Sequence, residues 1–178
     1  MLPHRCDGLT DAVTILRTLV LLAATLSVGL GAGVYTLYAH TIMPGLAVTD
    51  DRTFIGAFQA MDRAILNPWF LGFSFVGSLL LGGLAALLSL GRPELPWIAA
   101  AVALHVVLMV VTMAVNVPLN DALKAAGPPA EMADPAAVRA AFDAARWEAW
   151  NWLRVGLSVV SFALLAWSLV VHGRADAP

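Results

Sequence analysis

The stretch TLVLLAATLSVGLGAGVYTLY, Thr18–Tyr38, runs for 21 residues without an Asp, Glu, Lys or Arg. A helix crossing the hydrocarbon core of a bilayer needs about 20 such residues. Three further stretches of the same character follow at about Trp69–Leu90, Trp97–Val115 and Leu153–Val171. Their only cations, Arg17 and Arg154, lie at edges, where long stems are expected to snorkel toward the headgroups. The fold expected is all-α: a polytopic membrane protein, a four-transmembrane-helix bundle formed by residues 1–178 as a single membrane domain. The first stretch exceeds the 7–15-residue apolar core of a signal peptide, and Arg5 before it is offset by Asp7 and Asp11, so it reads as a retained span.

Composition agrees. Of 178 residues, 60% are hydrophobic and only 12% charged, about half the charged share of a soluble domain. The net charge of −2 offers no basic face for a phosphate backbone, which excludes nucleic acid as a partner. The single cysteine, Cys6, excludes an intrachain disulfide, a Cys-x-x-Cys redox pair and a thiolate zinc cluster. Nine arginines against one lysine, with abundant Ala and Gly, suit a GC-rich bacterial genome, and the expected location is the bacterial cytoplasmic membrane.

The connections between spans are unequal. Gly91-Arg92-Pro93-Glu94 joins the second and third, whereas the first and third connections hold roughly 30 and 35 residues and must share one side. Chemistry is expected on that side. Arginine density near the first span places the termini on the cytoplasmic face, although raw counts of Lys and Arg favour the long connections. In the first connection, Phe54, Phe58, Met61 and Ile65 recur at helical spacing opposite Arg52, Gln59, Asp62 and Arg63, an amphipathic helix over about 52–66, interfacial or docked. It begins after Thr49-Asp50 and stops before Asn67-Pro68. The second amphipathic segment, about 135–151, starts at an Asp134 cap with Pro135 at the first helical position. Unbroken to Val171, that helix would reach about 54 Å, so its first half must leave the membrane or bend along it. Arg139, Asp143 and Arg146 are spaced to pair along an exposed face.

Candidate functional residues gather at the long-connection side. Trp147, Trp150, Asn151 and Arg154 stand at i, i+3, i+4 and i+7 on one helical stripe, which reads either as a pocket wall or as a tryptophan belt with a snorkelling arginine. Asn116 and Asn120 flank Pro118, and Asn67 precedes Pro68, either capping carbonyls that a proline frees or forming a polar rim for a ligand. His105, in mid-span, is a candidate for proton transfer or a neutral imidazole bonded between helices. His40 closes the first span as a candidate base or a solvated interfacial histidine, while His4 and His172 read as surface residues. Gly29, Gly31 and Gly33, with Gly72, Gly77, Gly82 and Gly83, supply small faces for helix packing or for a homo-oligomer. No paired histidines at one depth for a haem, span lysine, phosphate loop or His-Glu-x-x-His motif occurs, so no metal site is expected.

Arg63-Ala-Ile-Leu-Asn67-Pro68-Trp69, Val115-Asn116-Val117-Pro118-Leu119-Asn120, Trp147-x-x-Trp150-Asn151-x-x-Arg154 and Met43-Pro44-Gly45, in this order and spacing, resemble the anthrone-oxygenase-like family of small membrane proteins. The resemblance implies a four-helix membrane protein whose fungal relatives oxidise polyketide anthrones to anthraquinones with dioxygen, without flavin or metal. No cofactor is therefore expected, and the expected partners are a hydrophobic aromatic small molecule or lipid, dioxygen and the bilayer. The family pattern covers Asn67, Asn116, Asn120, Trp150, Asn151 and Arg154 but neither His40 nor His105. The expected chemistry needs a base such as His40 or His105 and enolate-holding donors such as Asn116, Asn151 or Arg154. Asn67, Asn120, Trp147 and Trp150 are expected to line the substrate. A non-catalytic lipid- or small-molecule-binding protein and a structural subunit are the alternative readings.

Overall fold

The computed structural model describes residues 4–175, with side chains described from Asp11 onward. The expectations attached to His4, Arg5, Cys6 and Asp7 concern side chains outside the described residues. Within them every regular element is helical: α1 (His4–Leu37), α2 (Met43–Ala47), α3 (Asp51–Ile65), α4 (Val76–Leu88), α5 (Leu95–Val111), α6 (Val117–Ala125), α7 (Pro135–Phe142) and α8 (Ala144–Ala175). Three π-helical turns interrupt the spans, Tyr38–Ile42, Phe70–Phe75 and Thr112–Asn116. Among the described residues four helical stretches are long and apolar enough to cross a membrane, Asp11–Ala47, Phe70–Leu88, Leu95–Ala125 and Pro135–Ala175. The protein is an all-α integral membrane protein, as its sequence indicates.

The spans form a ring in which α1 packs on α4, α4 on α5, α5 on α8 and α8 back on α1. Away from the long connections the core is built from Leu21, Ala24, Ala85, Ile98, Ala101 and Leu165. Small residues permit the close approach expected in lipid. A Cβ on Gly29 would lie 2.8 Å from the Phe162 ring, and one on Gly82 would lie 2.9 Å from Val102. Gly33 is different: nothing lies within 4 Å and it faces outward, so Gly29 and Gly33 do not act as a pair within the chain.

Two prolines account for two of the π-turns. Pro44 and Pro118 lack an N–H, and each ring would collide with the carbonyl four residues earlier, of His40 and Ala114. Both carbonyls lie at the centres of π-turns, whose bonds step five residues back instead, Met43 N–H to Tyr38 O and Val117 N–H to Thr112 O. The turn at Phe70–Phe75 rests on a glycine: a Cβ on Gly77 would come within 2.1 Å of the Gly72 carbonyl oxygen. The hydroxyls of Ser27 and Ser78 donate to the carbonyls of Phe73 and Phe75 in that turn, at 2.5 and 2.6 Å.

The long connections fold onto one another as a cap over one end of the ring. Asp50 caps α3 by accepting from Thr53 N–H at 3.1 Å and from the Thr53 hydroxyl at 2.5 Å. The Thr53 hydroxyl, then its amide, holds the Asp50 carboxyl below the usual carboxylate range. Phe54, Phe58, Leu123, Met132, Phe142 and Trp147 form the cap's apolar centre, so the amphipathic α3 is docked. Part of its polar face is docked too: Gln59 donates to the carbonyls of Leu123 and Gly127 at 2.8 and 3.0 Å, while Arg63 stays exposed. Arg52 donates to the carbonyls of Pro129 and Met132.

The expected long fourth helix is broken. Asp134 caps its start by accepting from Ala137 N–H at 2.9 Å, but at Asp143 the backbone turns left-handed, with φ of 52°. Asp143 then caps α8 through Arg146 N–H at 3.2 Å, a conformation Asp tolerates because its short polar side chain bonds locally. The expected pairing of Arg139 with Asp143 is therefore replaced. Arg139 reaches Asp51 at 3.0 Å and the carbonyls of Thr49 and Ala47, and its guanidinium lies 4.4 Å from the centre of the Phe54 ring.

At the opposite end, two expectations of surface character are corrected. His172 is only 4% exposed, bonded through Nδ1 to Glu94 at 3.0 Å and through Nε2 to Thr18 at 2.9 Å. Arg17 does not snorkel but donates to the Leu88 carbonyl at the end of α4, at 2.8 Å. Glu94, fully buried, thus ties the α4–α5 turn to the last turn of α8. Gly77→Ala is expected to strain the second π-turn and destabilise the protein by about 1–3 kcal/mol in mixed-micelle unfolding. Glu94→Leu, which strips a carboxylate from a buried pair, is expected to cost about 3–5 kcal/mol in the same assay.

Candidate active site

Each of the three π-turns lends residues to one space beneath the cap. The result is a cavity of about 300 Å³. The first span contributes Val34, Tyr35 and Tyr38, α3 contributes Phe58, Asp62 and Ile65, and Leu66 follows at the end of α3. The second span adds Phe70, Leu71 and Phe75, the third Thr112, Met113, Val117 and Asn120, and α8 adds Trp147, Asn151 and Arg154. The lining is mainly apolar and aromatic with a few convergent polar groups, the make-up of a small-molecule site.

On α8, the positions i, i+4 and i+7 of the expected stripe, Trp147, Asn151 and Arg154, face inward. Trp150 turns away and is exposed, as is Trp152. Arg154 does not snorkel: it is 6% exposed. Its Nη2 donates to Asn151 Oδ1 at 2.8 Å, and Asn151 Nδ2 donates to the Tyr35 carbonyl at 3.1 Å. The guanidinium carbon lies 5.0 Å from the Tyr35 ring centre and 5.2 Å from that of Trp147, so two π-faces attract the cation. Among the described residues no carboxylate pairs with Arg154, and its Nε and the buried Tyr35 hydroxyl have no hydrogen-bond partner. A desolvated cation with spare donors beside an apolar cavity is a site for an anionic oxygen.

The second polar group lies under the cap. Trp147 Nε1 donates to Asn120 Oδ1 at 2.7 Å, and Asn120 Nδ2 donates to Asp62 Oδ1 at 2.6 Å. The other Asp62 oxygen meets Lys124 Nζ at 2.7 Å, and Lys124 also reaches Asp121 at 3.0 Å. Asp62 is buried, and it is the only carboxylate among the described residues that line the cavity.

The structure brings Asn120, Trp147, Asn151 and Arg154 together and leaves the other candidates outside the cavity. Asn116 is buried behind it, donating to the Trp147 carbonyl at 3.2 Å and so fixing the backbone of the stripe. Asn67 is exposed and bridges two helix ends, donating to Ala64 O and accepting from Phe70 N–H, both at 2.9 Å. His40 is exposed beside Thr41, with which it shares a 2.6 Å hydrogen bond. His105 is buried between the second and third spans on Ser78 Oγ at 2.7 Å, the interhelical arrangement rather than a proton-transfer position at the cavity. Neither histidine lines the cavity. Among the described residues no group of three or more His, Cys, Asp or Glu could hold a metal ion.

Asp62, Tyr35 and Tyr38 are the site residues that sequence reasoning did not select. Asp62 and Gln59 stand on the same side of α3, and an acid and an amide there were the available signal. Both stand on the polar side of an amphipathic helix, a pattern that is the same whether that side meets water or protein. The tyrosines carry no such signal, being aromatic positions in an apolar run.

A cavity of this kind, enclosed by four spans and a helical cap, defines a polytopic membrane protein with a small-molecule site near one membrane face. The anthrone oxygenase family pattern matches residues 67–164, more than half of the chain, and the chain belongs to that family. Comparison with curated proteins and with solved structures returns no match. The matched region contains the Asn120, Trp147, Asn151 and Arg154 wall, whereas Tyr35, Tyr38 and Asp62 lie before it. Membership points to an oxygenase-like role. Asn120→Leu, which strands the Trp147 indole N–H and removes a donor from Asp62, is expected to destabilise the cap by about 1–3 kcal/mol, measured by amide exchange in α3 and α6.

Proposed function

We propose that the protein is a membrane-embedded oxygenase that oxidises an enolisable, anthrone-like aromatic with dioxygen. The observation that carries this reading is Arg154: a buried guanidinium with no carboxylate partner among the described residues, lying over the rings of Tyr35 and Trp147 and facing an apolar cavity. Such a cation costs free energy in the empty protein and is stabilised when an oxyanion forms against it.

In this scheme the flat substrate lies among Phe58, Phe70, Phe75 and Trp147 with its carbonyl oxygen toward Arg154 and the Tyr35 hydroxyl. Asp62 takes the benzylic proton, and the C–H electron pair moves into the carbonyl to give an enolate. The enolate passes one electron to dioxygen, and the two radicals join at the benzylic carbon. The proton held on Asp62 completes a hydroperoxide, which loses water to leave a second carbonyl. One CH₂ becomes C=O while one dioxygen is consumed and one water released. Asn151 orients Arg154 through its 2.8 Å bond, and Asn120 orients Asp62.

Oxygen uptake with anthrone as substrate, on protein checked for folding by size exclusion, tests the reading. Arg154→Gln is expected to lower kcat by about 10²–10³, as for loss of an oxyanion donor. Asp62→Asn is expected to lose about 10²–10⁴, the range for loss of a general base. His40→Ala is expected to retain activity. Full activity in Arg154→Gln would remove the proposal. Anthrone bound stoichiometrically without oxygen consumption would instead make the protein a small-molecule binder.

A further inference from the structure

At cavity level three of the four junctions in the ring are closed by direct packing. The π-turn Phe70–Phe75 lies against α1, the π-turn Thr112–Asn116 against α8, and α8 against both α1 and the π-turn Tyr38–Ile42. The fourth junction is different. The second and third spans pack together along α4 and α5, but their π-turns touch at most marginally. Cavity-lining residues beside this gap are outward-facing apolar ones: Met113 is 57% exposed and Leu66 is 54% exposed.

Depth follows from the tryptophans. Trp69, Trp150 and Trp152 are exposed at the cavity end, and Trp97 and Trp167 are exposed at the other, their rings 6.5 Å apart. Trp150 and Trp167 are separated by 17 residues of one helix, or about 26 Å, close to the ~30 Å of a hydrocarbon core. The same rise puts Met113 about 24 Å from Trp97 along the third span. The gap therefore opens at the edge of the hydrocarbon region, beside the aromatic belt.

The aqueous side is sealed instead. The cap's apolar centre lies above the cavity, and Arg52, Gln59 and Arg139 strap its segments together through backbone carbonyls. We infer that the cavity is filled sideways from the bilayer, through a portal between the second and third spans gated by Leu66 and Met113, and that its ligand is an uncharged, flat aromatic dissolved in lipid. A charged water-soluble molecule has no matching route. The inference deepens the oxygenase reading by fixing the physical state of its substrate, and its test does not depend on turnover.

The chain has one natural cysteine, so a Cys6→Ala background carrying Thr112→Cys places a single thiol on the cavity wall. The protein is reconstituted in phosphatidylcholine vesicles. It is labelled either with N-pyrenylmaleimide dissolved in the bilayer or with a sulfonated maleimide in the water, each rate normalised to an exposed Val48→Cys reference. The lipid-borne reagent is expected to react at least tenfold faster than the sulfonated one. Adding Met113→Trp is expected to slow it at least tenfold. Leu66→Trp, across the gap and equally outward-facing, is expected to do the same and stands in if the first variant does not fold. Faster labelling by the sulfonated reagent, or unchanged labelling in the tryptophan variants, would overturn the portal. Unchanged labelling with intact oxygen uptake would sink the portal and keep the oxygenase. Slowed labelling in a protein that consumes no oxygen would do the reverse.

Discussion

Hydrocarbon supplies no water to a backbone carbonyl, so a membrane helix can leave α-geometry only where another group satisfies what it frees. This chain leaves it three times, and each time beside the cavity. At Pro44 and Pro118 the missing N–H and the bulk of the ring push the preceding turn into a wider, five-residue bonding step. At Gly77 the absence of a Cβ leaves room for the Gly72 carbonyl, and serine hydroxyls take two carbonyls of the same turn. Each wide turn displaces its helix, and three together open the ring enough for a cavity where straight helices would close it. Tyr38, Phe70, Leu71, Phe75, Thr112 and Met113, which line the cavity, all belong to these turns.

The cap supplies the complementary condition. A cavity at the hydrocarbon edge fills with water unless it is covered, and water would screen Arg154 and weaken any oxyanion contact. Apolar packing around Phe54, Phe58 and Phe142 provides the cover, with Trp147 shared between cap and cavity. Its indole N–H on Asn120, and Asn120 on Asp62, then hold an acid–amide pair on the wall of the same cavity as the guanidinium. One tryptophan therefore joins the stability of the cap to the geometry of the site.

Some of the site is written locally. Trp147, Asn151 and Arg154 follow helical spacing, and a helix fixes which side chains share a face whatever surrounds it. Asn120 near Pro118 was visible for a similar reason. Asp62 was not, because on an amphipathic helix an acid next to Gln59 has the same pattern whether that face meets water or a second docked segment. Here Gln59 and Asp62 are covered, while Arg52 and Arg63 stay exposed. His105 and His172 mislead in opposite directions: a histidine in mid-span satisfies Ser78, whereas one beyond the apolar run is buried against Glu94. Position relative to the membrane does not disclose the partner a neighbouring helix will offer.

The sequence by itself determined the four spans, the sidedness of the long connections relative to one another and the caps at Asp50 and Asp134. These follow from run length, hydropathy and bonds between residues a few positions apart. The break at Asp143, the burial of Gln59 and Asp62 on α3, the meeting of Tyr35 with Arg154 and the gap between the second and third spans were decided by tertiary structure. Each depends on how separate segments pack. A guanidinium at a span's edge is drawn equally to water and to aromatic faces until the fold brings Tyr35 and Trp147 beside it and removes the water.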